Sequence, residues 1–239
     1  METISGKKVL LTGATGGIGA ETARLLKQSG AKLYITGRDA GKLAALQQEL
    51  GLPSEQAFVM DITDEGSVTG VSQAIHGQID ALDILINAAG VGVVKPLEEL
   101  TLEEFNRCLQ GNLVGPFLLL KHFLPAMKAK KQGFIINIPG VLGKAPMAGA
   151  AAYAASKYGL NGMLKSVREE LRRTSIRITN LYLGGVDTPF WDEDIEIRFQ
   201  REKFITAREA ARSVWFLCQQ PSSGVVSEMV IQPFNHQAI

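Results

Sequence analysis

TGATGGIG, at residues 12–19, follows the short apolar run Val9–Thr12 and precedes a helical pattern at Ile18–Gln28. Glycines at 13, 17 and 19 allow a tight turn and let a ligand approach the backbone closely. The helix that follows offers unpaired N–H groups to an anion such as a pyrophosphate. A flexible glycine-rich turn is the alternative, but the strand before and the helix after are the context that a dinucleotide-binding loop requires.

The rest of the chain alternates short apolar runs with amphipathic stretches. Strands are predicted at Val9–Thr12, Lys32–Thr36, Ala57–Met60, Leu82–Asn87, Phe134–Ile138, Arg177–Leu183 and Glu228–Ile231. Helices are predicted at Ile18–Gln28, Ala40–Leu50, Glu65–His76, Leu102–Lys130, Ala151–Arg173 and Ala207–Gln219. Nearly continuous apolar strands are typical of a parallel sheet that is buried on both faces. The pattern predicts a three-layer α/β Rossmann fold with a doubly wound parallel sheet of about seven strands. Because no linker or charge run divides the chain, we expect one domain over residues 1–239.

The composition argues against several classes of partner. The formal net charge is +1, so no general electrostatic attraction to nucleic acid or to a membrane surface is expected. The N-terminus has neither a signal peptide nor a membrane span, which predicts a cytoplasmic protein. No metal site is expected, because the cysteines and histidines form no cluster of metal ligands: Cys108, Cys218, His76, His122 and His236.

Five motifs together resemble the short-chain dehydrogenase/reductase family, and they occur in the family's order. They are TGATGGIG, Asp61, Asn87-Ala88-Ala89-Gly90, Asn112 and Tyr153-Ala154-Ala155-Ser156-Lys157, and the resemblance runs from about Lys7 to about Gln232. It implies hydride transfer between a nicotinamide cofactor and a small-molecule carbonyl or alcohol substrate. It also implies a homodimer or homotetramer assembled through the two long helices.

The end of the second strand, Thr36-Gly37-Arg38-Asp39, bears on the choice of cofactor. NAD-binding relatives usually carry an acidic residue at the position of Gly37, which bonds the adenosine ribose. Arg38 beside the missing acid could clamp the 2′-phosphate of NADP, with a hydroxyl added by Thr15. The alternative is that Arg38 is a surface residue leading into the next helix. We therefore expect NADP(H), with NAD(H) less favoured.

Several other residues are expected at the cofactor through the resemblance. In the family, an Asp at position 61 bonds the adenine amino group; the alternative is capping of the segment after Thr63. Asn87 divides its role between the cofactor and the bridging of strands, and Val186 and Thr188 contact the nicotinamide carboxamide. The full predicted cofactor-binding set is Gly13, Thr15, Gly17, Ile18, Gly19, Arg38, Asp61, Ile62, Asn87, Ala88, Gly90, Tyr153, Lys157, Val186 and Thr188.

Tyr153 and Lys157 are four residues apart in a helical pattern, so they share a face. A nearby ammonium favours the phenolate and lowers the pKa of a tyrosine, which suits it to acid–base work. In the family this Tyr exchanges a proton with the substrate oxygen, the Lys also bonds the nicotinamide ribose, and an Asn such as Asn112 holds a water that links the Lys to solvent. The predicted catalytic residues are therefore Tyr153, Lys157 and Asn112. The alternatives are a chance pattern on an exposed helix, which the small residues at 149–155 oppose, and an asparagine that only kinks its helix.

The chain departs from the family at Gly140, thirteen residues before Tyr153, where a catalytic serine is usual. From Pro139 to Ala152 there is no serine or threonine, so the hydroxyl has not moved along the loop. Three explanations stay open. A backbone N–H, Lys144 or the substrate replaces the donor; the substrate needs less polarisation; or turnover is lost and the protein is a non-catalytic NADP(H)-binding regulator.

The stretch at residues 187–205 corresponds to the family's substrate lid. Its aromatic and acidic side chains could shape a pocket entrance: Phe190, Trp191, Asp192, Glu193 and Asp194. An ordinary surface helix is the alternative.

Overall fold

The computed structural model describes residues 1–192 and 201–235. Three residues singled out in the sequence, Glu193, Asp194 and His236, lie outside the described residues, as does the side chain of Asp192.

The structure describes nine strands, and seven of them form the parallel central sheet. In chain order the strands are β1 Lys8–Thr12, β2 Lys32–Gly37, β3 Ala57–Val59, β4 Ile84–Asn87, β5 Gln132–Asn137, β6 Ser175–Leu183, β7 Val186–Asp187, β8 Ile205–Thr206 and β9 Glu228–Ile231. The sheet order is β3-β2-β1-β4-β5-β6-β9, and the short strands β7 and β8 pair separately. This order confirms the predicted doubly wound sheet, because it reverses direction between β1 and β4.

The helices cover both faces of the sheet. They are α1 Gly17–Gln28, α2 Ala40–Glu49, α3 Glu65–His76, α4 Leu102–Leu109, α5 Gly115–Lys130, α6 Ala151–Leu171 and α7 Ala207–Cys218. Alternate strand residues enter different cores: Leu11 packs in the core of α1, α2 and α7, whereas Leu10 packs in the core of α3, α5 and α6. The three predicted layers are confirmed, and the predicted element ends differ from the observed ones by two residues or fewer except in one helix. Within the described ranges, no helix is both long and apolar enough to cross a membrane.

The exception is the predicted continuous helix Leu102–Lys130, which is wrong. A π-helical turn at Gln110–Val114 separates α4 from α5. Pro116 explains part of the break, because it lacks the N–H that an α-helix would donate to the carbonyl of Asn112. The turn directs the Asn112 side chain towards the loop after β4.

The strand register places polar side chains side by side at the carboxyl edge of the sheet. Thr12 is aligned with Asn87, Asn87 with Asn137, and Asn137 with Asn180. All four side chains are buried. Ligands of open α/β sheets bind outside this edge, near the point where the strand order reverses. The loops that follow β1, β4, β5 and β6 therefore converge there.

Candidate active site

The loops at the carboxyl edge enclose one cleft, which we call the main cleft. Its described lining consists of Gly13, Gly16, Gly17, Ile18, Gly19, Ala88, Ala89, Gly90, Ile138, Gly140, Tyr153, Lys157, Leu183, Gly184, Val186, Thr188, Phe190 and Trp191. The lining brings together most of the predicted cofactor loop with Tyr153 and Lys157. It leaves out Thr15, Arg38, Asp61, Ile62 and Asn87.

The glycine loop is packed too tightly for larger residues. Gly13 has a φ of +66°, and a Cβ there would lie 2.6 Å from the Ala89 nitrogen. A Cβ on Gly17 would lie 2.6 Å from the Thr188 Cγ2, and one on Gly19 would overlap the Gly13 carbonyl oxygen. The glycines therefore bring three loops together and leave backbone exposed in the main cleft.

The N-terminus of α1 faces the main cleft without a side-chain cap. Gly16 is the N-cap residue, no side chain caps the helix, and its first turn contains no acidic residue. Its first N–H groups and the helix dipole therefore favour an anion at this end. This arrangement fits a pyrophosphate group.

The end of β2 is crowded at Gly37, where an acidic residue would press on the Thr15 side chain. A Cβ on Gly37 would lie 2.9 Å from the Thr15 Oγ1, so Thr15 would have to move. Arg38 is exposed and makes no ion pair within the part of the chain that the structure describes. Asp39 caps α2 by accepting a 2.9 Å bond from the Lys42 N–H. Its carboxylate is thus engaged, and Arg38 remains available at this edge.

Asp61 forms a turn before α3 and does not cap that helix. Its Oδ1 accepts bonds of 2.8 Å from both the N–H and the hydroxyl of Thr63, whereas Asp64 caps α3. One oxygen of Asp61 is thereby fixed and the other can accept a bond from a ligand. Ile62 is buried, and its side chain occupies the space beside Gly115.

Asn87 and Asn112 both hold the loop after β4. The Asn87 Oδ1 accepts a 3.0 Å bond from the Thr12 hydroxyl, which bridges two strands. The Asn112 Oδ1 accepts from the Val91 N–H at 3.0 Å, and its Nδ2 donates to the Val91 carbonyl at 2.8 Å and to the Ser156 hydroxyl at 3.0 Å. The Asn112 Nδ2 therefore donates both of its N–H groups within the protein, and a water relay that involves Asn112 stays a prediction.

Tyr153 and Lys157 project from α6 into the main cleft. The Lys157 Nζ lies 5.4 Å from the centre of the Tyr153 ring and 3.4 Å from the Ile138 carbonyl oxygen. Burial lowers the pKa of Lys157 to about 8, and burial raises the pKa of Tyr153 above its ordinary value. Loss of hydration is the main cause of this rise in the tyrosine pKa. That Lys157 lowers the tyrosine pKa stays a prediction.

Gly140 lies beside the Tyr153 hydroxyl. A Cβ on Gly140 would be 3.5 Å from the Tyr153 Oη and 3.6 Å from the Leu183 carbonyl oxygen. The backbone has φ +71° and ψ 164°, a conformation that is essentially restricted to glycine. The position therefore faces the proposed chemistry and has space for a small side chain, but its backbone opposes one.

Lys144 is engaged away from the Tyr153 hydroxyl, which argues against one of the three donors named in our first explanation. Its ammonium pairs with the Glu228 Oε2 and lies 4.6 Å from the centre of the Tyr182 ring. The Tyr182 hydroxyl donates 2.9 Å to the Asn161 Oδ1, and the Asn161 Nδ2 lies 3.5 Å from the Gly143 carbonyl. This polar network fixes the loop after β5 to β6, α6 and β9.

Within the lid, Pro189–Asp192 and Arg201–Lys203 form short 3-10 turns, and residues 193–200 lie outside the described residues. Val186 and Thr188 line the main cleft as predicted contacts would require. The Phe190 ring lies 5.9 Å from the Tyr153 ring, centre to centre. Sequence reasoning missed Ile138, Leu183 and Ala89 in the lining. The only available signal for them was their position at the carboxyl ends of β4, β5 and β6.

Comparison with known proteins identifies the family. The model of the short chain dehydrogenase family matches residues 7–197. An uncharacterized oxidoreductase of Staphylococcus saprophyticus is 30% identical over 98% of this chain and 100% of its own length. The chain therefore belongs to the short-chain dehydrogenase family, and the predicted family membership is confirmed.

Two solved structures share the fold and were determined with a nicotinamide cofactor. A metagenomic short-chain oxidoreductase in complex with NADP is 32% identical, with a TM-score of 0.83 and coverage of 98% of this chain and 100% of that chain. An alcohol dehydrogenase of the archaeon Thermococcus sibiricus, complexed with 5-hydroxy-NADP, is 26% identical, with a TM-score of 0.84 and coverage of 97% and 98%.

Proposed function

We propose that the protein is an NADP(H)-dependent oxidoreductase that interconverts a carbonyl compound and an alcohol. The carrying observation is that Tyr153 and Lys157 open into the same cleft as the uncapped N-terminus of α1. One end of this cleft suits an anionic dinucleotide, and the other end holds a proton donor. The solved relatives bound to NADP or 5-hydroxy-NADP support the same assignment.

The residues present fit NADP(H). N–H groups at residues 17–19 would hold the pyrophosphate, Arg38 and Thr15 the 2′-phosphate, and Val186 and Thr188 the nicotinamide carboxamide. The free oxygen of Asp61 would accept from the adenine amino group. When bound, the cofactor supplies or accepts a hydride.

Tyr153 acts as general acid during carbonyl reduction. Its hydroxyl donates a hydrogen bond and then its proton to the carbonyl oxygen, and in alcohol oxidation the proton moves in the opposite direction. Burial keeps Tyr153 protonated in the free protein, so it is ready to act as an acid. Lys157 bonds the cofactor ribose and, once it approaches the phenol, stabilises the phenolate. Asn112 positions the loop after β4 and contributes to the proton relay.

A second candidate is a non-catalytic NADP(H)-binding regulator, which Gly140 favours. Beside Tyr153 the loop carries no side-chain hydroxyl, and removal of one such donor typically costs roughly a hundred- to a thousand-fold in rate. A protein that has lost turnover would still bind the cofactor through the glycine loop.

One experiment separates the two candidates. NADPH binding is measured by calorimetry, and NADPH oxidation is followed with a panel of aldehydes and ketones. An enzyme binds and oxidises NADPH, and Tyr153→Phe lowers kcat by at least about a hundred-fold while the NADPH Kd is unchanged. The regulator is supported if both the native protein and Tyr153→Phe bind NADPH but oxidise it no faster than the background rate.

We also propose a homodimer or homotetramer. Three large apolar side chains stay exposed on α4, α5 and α6: Leu102 by 75%, Phe117 by 47% and Tyr158 by 45%. These exposures support the proposal because they lie on the helices through which the family resemblance implies assembly. Light scattering coupled to size exclusion should give a mass of two or four chains, and Phe117→Glu should reduce it. A monomeric native protein at micromolar concentration contradicts the proposal.

A further inference from the structure

An aromatic row lies over Tyr153. Phe190 packs at 5.9 Å from the Tyr153 ring centre, Trp191 meets Phe190 edge-on at 5.4 Å, and Trp191 lies 5.3 Å from Phe204. The Trp191 indole N–H donates 2.8 Å to the Val186 carbonyl, which fixes the row to β7. Phe190 and Trp191 line the main cleft and form a wall at its chemical end, with Phe204 packed against Trp191.

Gly92 makes room for this wall. The tip of the Phe190 ring lies close to Gly92. A Cβ added to Gly92 would overlap that tip and would lie 2.9 Å from the Phe190 Cε1. Phe190 thus spans the space between the loop after β4 and Tyr153. Because Phe190 and Tyr153 line the same cleft, the Phe190 ring is available to atoms beside a carbonyl whose oxygen reaches the Tyr153 hydroxyl.

The chemical end of the cleft has little to offer a charged substrate. Among the described residues that line it, Lys157 alone has a charged side chain, and that ammonium lies against the Ile138 carbonyl. Apart from Tyr153, Thr188 and the engaged indole of Trp191, the other described lining side chains are apolar or absent. Burying an unpaired carboxylate or phosphate in such surroundings is strongly unfavourable.

We propose that Phe190 is a specificity-determining residue, and that the site takes uncharged aldehydes or ketones with an aromatic ring beside the carbonyl. Aromatic rings attract each other at centre-to-centre separations of about 4.5–7 Å, which a ring beside Tyr153 would have from Phe190. Glycine at 140 leaves space for a small group beside the Tyr153 hydroxyl, where a Cβ would lie 3.5 Å from the Tyr153 Oη. The catalytic half of this inference rests on the proposed reductase function, whereas the binding half does not.

The kinetic test compares benzaldehyde, cyclohexanecarbaldehyde and 4-carboxybenzaldehyde with NADPH at saturation. Intrinsic reactivity differs among aldehydes, so the quantity that matters is the change of the kcat/KM ratio between native protein and variant. Phe190→Leu should reduce the preference for benzaldehyde over cyclohexanecarbaldehyde by about 2- to 12-fold, the range expected from loss of one aromatic contact. Gly92→Ala, which displaces the ring, should have the same direction of effect. The carboxylated aldehyde should be the poorest substrate of the native protein.

A matched control is Phe216→Leu, the same substitution at a partly exposed position on α7, which should leave the ratio unchanged. Melting curves check that every variant is folded. An unchanged ratio in folded Phe190→Leu, or equally good reduction of the carboxylated aldehyde, overturns the inference and leaves the reductase function intact.

The binding test needs no turnover. A fluorine NMR titration follows 4-fluoroacetophenone with the free protein and with its NADP+ complex, in which the ketone cannot be reduced. Saturable binding that weakens by about 2- to 12-fold in Phe190→Leu supports the aromatic site. If this binding is seen but none of the three aldehydes is reduced, the reductase proposal fails and the aromatic site stands. Absence of binding overturns the aromatic site, and the reductase function is then decided separately by the wider panel of aldehydes and ketones.

Discussion

Replacing Gly140 by serine tests whether the missing hydroxyl limits the reaction. The substitution has a cost that can be worked from the backbone, since φ +71° and ψ 164° form a region that side chains rarely occupy. Such a residue costs about 1–3 kcal/mol of folding free energy. At about 2–4 °C per kcal/mol for a chain of this size, Tm should fall by about 2–12 °C.

The benefit follows from the direction of the new side chain. Its Cβ would lie 3.5 Å from the Tyr153 Oη in ordinary contact, and the hydroxyl oxygen is one bond further. A rotamer of this hydroxyl can therefore reach a substrate oxygen held by Tyr153. One well-placed donor contributes roughly a hundred-fold or more to kcat, so we expect a gain of up to about a hundred-fold with an activated aromatic ketone.

The assay measures kcat for Gly140→Ser and Gly140→Ala with NADPH saturating, alongside the melting temperature of each variant. Both variants carry the same backbone strain, but only serine adds a donor, so their ratio isolates the hydroxyl. Equal rates in the two folded variants would refute the missing-donor reasoning. A native enzyme faster than both would indicate that its substrate uses the open space at Gly140.

Two further predictions concern charged groups. Arg38→Ala should weaken NADPH binding by about ten-fold or more and leave NADH nearly unchanged, because a charged hydrogen bond to the 2′-phosphate is lost; calorimetry that finds equal affinity of the native protein for both cofactors contradicts this. Burial lowers the pKa of Lys157 to about 8 in the folded, cofactor-free protein, whereas a lysine in the unfolded chain has a pKa of about 10.4. Between these two pH values the unfolded chain holds more protons than the folded protein. The free energy of unfolding should therefore rise as the pH rises from about 8 to about 10.4. Lys157→Met should remove this gain in melting experiments, whereas the exposed control Lys165→Met should retain it.

The fold could be predicted from the sequence because the apolar runs and the helix signals indicate the same arrangement of strands and helices. Apolar runs such as Val9–Thr12 are nearly continuous, as buried parallel strands require. Local helix signals agree with this pattern, since Thr206 and Glu209 have the three-residue spacing of a capping box and form one at the start of α7. The Leu102–Lys130 prediction failed because apolar periodicity continues through a π turn almost unchanged. Pro116 was the only local signal of that break.

In the candidate site, too, features set by local sequence could be predicted, whereas features set by contacts between distant segments could not. Glycine spacing and the Tyr153–Lys157 interval are local patterns, so the sequence predicts an anion-binding turn and a shared helix face. That both belong to one site was implied by the family resemblance. The pKa direction of Tyr153 depends on the packing around it, which no short-range pattern contains. The partner of Lys144 is Glu228, 84 residues away, and the Phe190–Gly92 contact likewise joins distant segments.

The Lys144 contacts also bear on whether Gly140 can tolerate a side chain. Asn161 lies 3.5 Å from the Gly143 carbonyl, and Lys144 is paired with Glu228, so the loop is anchored within four residues of Gly140. Backbone strain persists only where the surrounding structure fixes the conformation, since a loose loop would relax into an ordinary one. Because the Lys144–Glu228 pair is about one-third exposed, it contributes at most about 1 kcal/mol, less than the upper end of the strain. A serine at 140 therefore has two ways to settle: the loop keeps its anchors and directs the hydroxyl at Tyr153, or it gives up the ion pair and turns the hydroxyl away.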